Sequence, residues 1–170
     1  MEENPKTIYQ FNAKLINGKD KKLSDYKGKV LLVVNIASAC GFAPQLKELQ
    51  ELKEQLDSAD FEVLGFPSND FGFQEPLDGT AIMDFCEMNY GVKFPVFSKI
   101  MVRGEHANPI YKFLGSKELN GHLKSTPRWN FHKYLINKNG EVTDYFYPFT
   151  KPLSGKLKKK IQRLLLAPVS

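Results

Sequence analysis

Residues 30–38, VLLVVNIAS, constrain this chain more than any other stretch. A strand with one wet face alternates apolar and polar residues; a continuous apolar, β-branched run belongs to a strand buried on both faces. Such a strand sits inside a sheet covered by helices on both sides, so the remaining sequence must supply them. From Pro44 onward Leu46, Leu49, Leu52 and Leu56 recur at helical spacing, with proline in the first turn. FEVLGFPS (61–68) reads as a second buried strand, ended by Pro67. Residues 79–89 read as a helix with Ile82, Phe85 and Met88 on one side, and NPIYKFLGS (108–116) as a shorter one. Asn17-Gly18 and Asn139-Gly140 mark two-residue turns of hairpins within 8–23 and 131–148. A final amphipathic helix carries Leu157, Ile161, Leu164 and Leu165, with the lysines of KLKKKIQR between them.

Hairpin, βαβ, helices, ββ, α is the order of a thioredoxin-like α/β fold. It has a mixed central β-sheet flanked by helices, here with an N-terminal β-hairpin. At 170 residues, without internal repeat, low-complexity tract or linker, the chain is expected to form one domain over 1–170. No apolar run approaches the ~20 residues that span a bilayer. The opening MEENPKTIYQ is acidic and contains proline, unlike a secretory or transit segment, so a cytoplasmic location is expected. The net charge of +5 is scattered apart from residues 156–163. That cluster reads as the solvated face of the last helix, so no nucleic-acid partner is expected.

The chain has two cysteines, Cys40 and Cys86, too few for a disulfide scaffold. Neither they nor His106, His122 and His132 have metal-ligand spacing, and no cofactor or metal is implied. Cys40 follows the first buried strand and stands near the mouth of the helix after Pro44. There the helix dipole and unpaired backbone N–H groups favour the thiolate, which is the nucleophile. The stretch alone leaves a rival open, because free cysteine is among the most often buried residue types. The strand ends 38–40 and 66–70 and the entry at 129–131, the last two within GFPSNDFGFQEP (65–76) and RWNF (128–131), lie at one edge of the proposed sheet.

NIASACGF, GFPSNDFGFQEP and RWNFHKYLINKNGEV resemble the three signature blocks of the glutathione peroxidases, and NYGVKFPVFSKI and NPIYKFL fit as well. Nearly the whole chain is covered. The resemblance is to the cysteine-containing, thioredoxin-using branch. It implies an active-site tetrad of Cys40, Gln74, Trp129 and Asn130, with Cys40 as peroxidatic residue and Cys86 as resolving residue. Asn69 and Gly41 fall beside them as a secondary pocket. The implied cycle runs through a sulfenic acid on Cys40 and a Cys40–Cys86 disulfide, which a dithiol then reduces. With Cys86 on a helix apart from Cys40, that helix must open during turnover.

Ser68 stands where many members carry a third cysteine, and Asp70 where glutamine is usual, adding a negative charge near the pocket. Phe73 and Ala43 also depart from the common pattern. The segment 115–127 is short where tetrameric members carry an insertion, which implies a monomer. The implied substrates are hydrogen peroxide and organic or lipid hydroperoxides. The implied electron donor is thioredoxin or a thioredoxin-like protein, with glutathione a weaker candidate. The alternatives are a peroxide sensor that passes its oxidation to a client protein, and a non-catalytic binding module.

Overall fold

The computed structural model describes residues 6–56 and 59–170; residues 1–5, the start of the acidic opening segment, and 57–58 lie outside the described residues. In chain order the elements are β1 (Asn12–Lys14), β2 (Asp20–Lys22), β3 (Val30–Ile36), α1 (Gln45–Leu56), β4 (Phe61–Pro67), α2 (Thr80–Tyr90), α3 (Pro109–Gly115), α4 (Lys117–Asn120), β5 (Lys133–Ile136), β6 (Val142–Phe146) and α5 (Gly155–Leu166). β1 and β2 form an antiparallel pair, and the larger sheet has the order β4-β3-β5-β6. β3 runs parallel to β4 and antiparallel to β5, so the sheet is mixed.

Every residue of β3 is buried. Its side chains divide by the two-residue period of a strand. Val30, Leu32, Val34 and Ile36 face one core layer with Leu46, Leu49 and Leu52 of α1, Ile82 of α2, and Leu157 and Ile161 of α5. Leu31 and Val33 face the other, with Ile8, Leu23, Phe66 and Phe97 and with Ile110 and Phe113 of α3. Fully burying each such side chain contributes on the order of 1.5–3 kcal/mol, which accounts for the unbroken apolar run. Ile36 pairs with Pro67, and Val34 with Lys133 at the start of β5. The outgoing ends of β3 and β4 and the entry to β5 therefore share one end of the sheet.

Both Asn-Gly signals mark hairpin turns, but the loops have three residues instead of two. Leu15 N–H donates to Lys19 O (2.8 Å) and Gly18 N–H to Leu15 O (2.8 Å). In the second hairpin Asn137 N–H donates to Glu141 O (3.0 Å) and Gly140 N–H to Asn137 O (3.0 Å). Each glycine closes its loop in the left-handed region, at φ 86° and 81°, the geometry of a three-residue loop with a bulge. Gly140 is further restricted by the N-terminal segment lying over it. Ile8 N–H donates to Gly140 O at 2.9 Å, and a Cβ on Gly140 would stand 2.6 Å from Cε2 of Tyr9.

Gly140→Ala is accordingly expected to lower unfolding stability by about 2 kcal/mol or more, since it combines left-handed strain with overpacking. Urea denaturation measures this, and a change under 0.5 kcal/mol would contradict the contact.

Candidate active site

Past Ile36 the chain makes a run of tight turns through Cys40 before α1 begins. Ala43 N–H donates to Cys40 O (2.9 Å), Gln45 N–H to Phe42 O (2.8 Å) and Leu46 N–H to Ala43 O (2.9 Å). Cys40 thus lies ahead of the helix, not in its first turn. What reaches the sulfur is one backbone donor, Phe42 N–H, 3.4 Å from Sγ. Cys40 is only 5% exposed.

The structure draws Gln74, Trp129 and Asn130 to this turn. Ala39 N–H donates to Gln74 O at 2.8 Å. Asn130 Nδ2 donates to Gln74 Oε1 at 3.0 Å. That bond fixes the Gln74 amide, and its Nε2 faces away from Asn130. Asn130 thereby orients the Gln74 side chain. Trp129 is held through its backbone, its carbonyl accepting from Asn35 Nδ2 at 3.0 Å. Its ring lies 5.7 Å from that of Phe71. Phe42, Trp129, Pro148, Tyr147, Phe149 and Arg128 line a hollow of about 380 Å³ beside the turn. A more polar hollow of about 480 Å³, which includes Arg103, Lys124 and Arg128, adjoins it.

Cys86 lies on α2 and is 1% exposed; both cysteines are free thiols. Burial, then the charges of Glu75 and Glu87, push its thiol up to about 12. A thiol in that state is protonated and a poor nucleophile. The helix holding it is open at its N-terminus and closed at Gly91, whose N–H donates to Glu87 O at 3.0 Å. Only Ile82 and Cys86 are buried, and its N-cap is Gly79 at φ 56°, without a side-chain cap bond. Phe85 is half-buried and Met88 is 85% exposed, so the apolar side runs Ile82–Cys86 and excludes Met88.

Asn69 Oδ1 accepts Glu75 N–H at 3.0 Å. Gly41 is exposed, with open space where a Cβ would be. Asp70 directs its charge elsewhere, Oδ2 accepting Val102 N–H (2.7 Å) and Arg103 N–H (3.3 Å). Ser68 is buried, its Oγ accepting Asp70 N–H at 3.3 Å. Phe73 is exposed at φ 52°, and Ala43 is buried.

Two buried ionisable residues beside the site escaped the sequence reading. Lys133, the first residue of β5, donates to Phe131 O (2.8 Å) and Pro148 O (3.2 Å). Burial pulls its ammonium down to about 7, against an upward pull from Glu48. Glu75 is 1% exposed and bonded to Ser38. Neither has a signal in the sequence, because the contacts that bury them are formed only in the fold. His132 is buried against Ser125 Oγ (3.0 Å), and burial, then the Lys133 charge, lower it to about 4, so it stays neutral. Among the described residues no group of three His, Cys, Asp or Glu side chains is placed to hold a metal ion.

Residues 8–115 match the family described as Glutathione peroxidase. The chain is 48% identical over 159 residues to the glutathione peroxidase homolog BsaA of Halalkalibacterium halodurans, covering 94% of this chain and 99% of that protein. The crystal structure of Trgpx in apo form superposes with a TM-score of 0.76 at 36% identity, covering 96% of this chain and 99% of that one. A thioredoxin family thiol:disulfide interchange protein from Chlorobium tepidum superposes at 0.66 with 15% identity, over 97% and 99% of the two chains. That likeness concerns the fold alone, which is thioredoxin-like.

The Cys86 environment has a measurable signature. The fold favours the neutral thiol, so its contribution is complete below the unfolded value of ~8.5 and is lost as pH rises towards the folded value. In a Cys40→Ser variant, alkylation of Cys86 by iodoacetamide should keep rising about tenfold per pH unit past pH ~8.5. A plateau near pH ~8.5, as for an exposed thiol, would contradict the burial.

Proposed function

Since this chain belongs to the glutathione peroxidase family and is a thiol peroxidase, we propose that Cys40 is its peroxidatic residue, Cys86 its resolving residue and thioredoxin its electron donor. The observation that carries the reading is the junction at the end of β3. There a sulfur with a backbone N–H aimed at it lies one residue beyond Ala39, which is hydrogen-bonded to Gln74, and Gln74 is in turn held by Asn130.

In the proposed cycle the Cys40 thiolate attacks one peroxide oxygen. The O–O bond breaks, the second oxygen leaves with a proton as water or an alcohol, and Cys40 becomes a sulfenic acid. Gln74 Nε2 and Trp129 Nε1 carry N–H groups and no titrating base. In this reading they donate to the leaving oxygen during the reaction and stabilise its developing charge; one such preorganised donor is worth about 3 kcal/mol. Cys86 thiol then displaces water from the sulfenic acid, forming the Cys40–Cys86 disulfide. A dithiol reduces that bond through a mixed disulfide, returning two thiols and leaving oxidised with both electrons accounted for.

An internal resolving thiol favours a dithiol donor over glutathione, and α2 opens to deliver it. The apolar hollow at Phe42 and Phe149 suits the organic part of an alkyl or lipid hydroperoxide, and Arg128 suits an anionic group on it. The reading extends to a monomer in the reducing cytoplasm, where thioredoxin-class dithiols are present.

Steady-state reduction of hydrogen peroxide, with thioredoxin and glutathione offered separately, tests the reading. Thioredoxin should sustain turnover by the wild type. Cys86→Ser should lose it by at least about 100-fold while still consuming one equivalent of peroxide, and Cys40→Ser should consume none. Undiminished thioredoxin-driven turnover by Cys86→Ser would refute the resolving role. A persistent mixed disulfide to one client would replace detoxification with a relay.

A further inference from the structure

A buried, multiply bonded carboxyl near Cys40 lies outside the tetrad. Glu75 follows Gln74, and its carboxyl grips Ser38 twice. Ser38 N–H donates to Oε1 at 3.2 Å, and Ser38 Oγ bonds Oε2. Ser38 is itself 8% exposed and stands two residues before Cys40. Alongside, Ala39 N–H donates to Gln74 O, so consecutive residues of one segment hold consecutive residues of the other.

Glu75 is in turn pinned by its own backbone. Its N–H donates to Asn69 Oδ1 at 3.0 Å, and its carbonyl accepts Lys99 Nζ at 2.8 Å. Lys99 also pairs with Asp78 at 2.9 Å. A carboxyl held this way does not drift, and what it holds is the turn carrying the sulfur.

We propose that Glu75 is a positioning residue for Cys40: by clasping Ser38 with both carboxyl oxygens it sets where the sulfur stands relative to the Gln74 amide. The proposal rests on Cys40 being the peroxidatic residue. Glu75 touches neither peroxide nor sulfur and acts only through Ser38.

The clasp outlasts a change in protonation. The ionised carboxylate accepts from Ser38 N–H and Oγ–H. The protonated acid still accepts from the N–H and donates its own O–H to Ser38 Oγ. Burial disfavours the ionised form of Glu75, and the two Ser38 bonds and Lys99 favour it. A glutamine presents the same pair of contacts, one oxygen and one N–H. An alanine removes both and leaves the Ser38 N–H and hydroxyl buried without partners, which is costly.

The test uses full-length protein carrying Cys86→Ser, which isolates the oxidation of Cys40. The rate constant with hydrogen peroxide is read from the fluorescence of the single tryptophan, or from peroxide loss. The rate with iodoacetamide, which needs the thiolate but no peroxide geometry, is measured beside it. Glu75→Ala should lower the peroxide rate about 30- to 100-fold, the scale set by a misplacement of roughly 1 Å. The iodoacetamide rate should change less than about threefold, because the thiol itself is kept. Glu75→Gln should stay within about threefold of the parent on both, since its two contacts survive.

Ser38→Ala removes one bond from the other side and should lower the peroxide rate about fivefold. Added to Glu75→Ala it should lower it no further, the mark of a shared interaction. Should Glu75→Ala fail to fold, Ser38→Ala and Glu75→Gln still decide. An unchanged peroxide rate in Ser38→Ala, or a large loss in Glu75→Gln, overturns the proposal. So does a parallel fall of both rates in Glu75→Ala, which would mean general loosening. If Cys40→Ser still consumes peroxide, the reading of Cys40 fails instead, and the two failures are distinguishable.

Discussion

The site depends on what the buried side chain and carbonyl of Asn35 do at the end of β3. Its carbonyl accepts Phe131 N–H at 2.7 Å, and its Nδ2 donates to Trp129 O at 3.0 Å. These two bonds fasten the entry of β5 to the strand that delivers Cys40, in a region where an unmade hydrogen bond is expensive. Phe131 is held at φ 69°, a conformation few non-glycine residues adopt. Lys133 grips its carbonyl from the far side at 2.8 Å. Strain of this kind persists only where the surroundings over-determine it. The turn presenting Trp129 and Asn130 is so held.

From that junction the chain makes two different environments for the same side-chain chemistry. Cys40 has a backbone N–H on its sulfur and an amide pair at the next turn. Cys86 has carboxylates and apolar neighbours that keep its thiol protonated. The first environment suits a thiol that must react, and the second a thiol that must wait. A resolving thiol already reactive in the closed fold would be open to oxidation on its own account. In the proposed cycle a helix with two fully buried residues and no side-chain bond at its N-cap stores the thiol inert and releases it on opening.

Much of this was legible in the sequence because it is local. An unbroken β-branched run, leucines at helical spacing after Pro44, and two Asn-Gly pairs each have a short-range physical meaning. The mixed sheet and its common end follow from them. The turns were placed correctly and their lengths were not, because an Asn-Gly pair serves both a two-residue loop and the last two positions of a three-residue one. Met88 was misassigned because its spacing from Ile82 and Phe85 fits a helical face that the core does not extend far enough to cover. Lys133 and Glu75 were missed for a deeper reason. Each is charged in sequence and ordinary there, and becomes informative only when long-range contacts bury it against Phe131, Pro148 or Ser38. The Asn130–Gln74 amide contact likewise joins residues 56 positions apart and has no signature in the sequence.

In the proposed cycle Cys86 leaves the core to meet Cys40, so that closing the disulfide opens α2. Hydrogen exchange followed by mass spectrometry, comparing the dithiol and disulfide forms of the wild-type protein, addresses it directly. Residues 80–90 should lose protection on oxidation while β3 and β4 keep theirs. Equal protection of α2 in the two forms would contradict it.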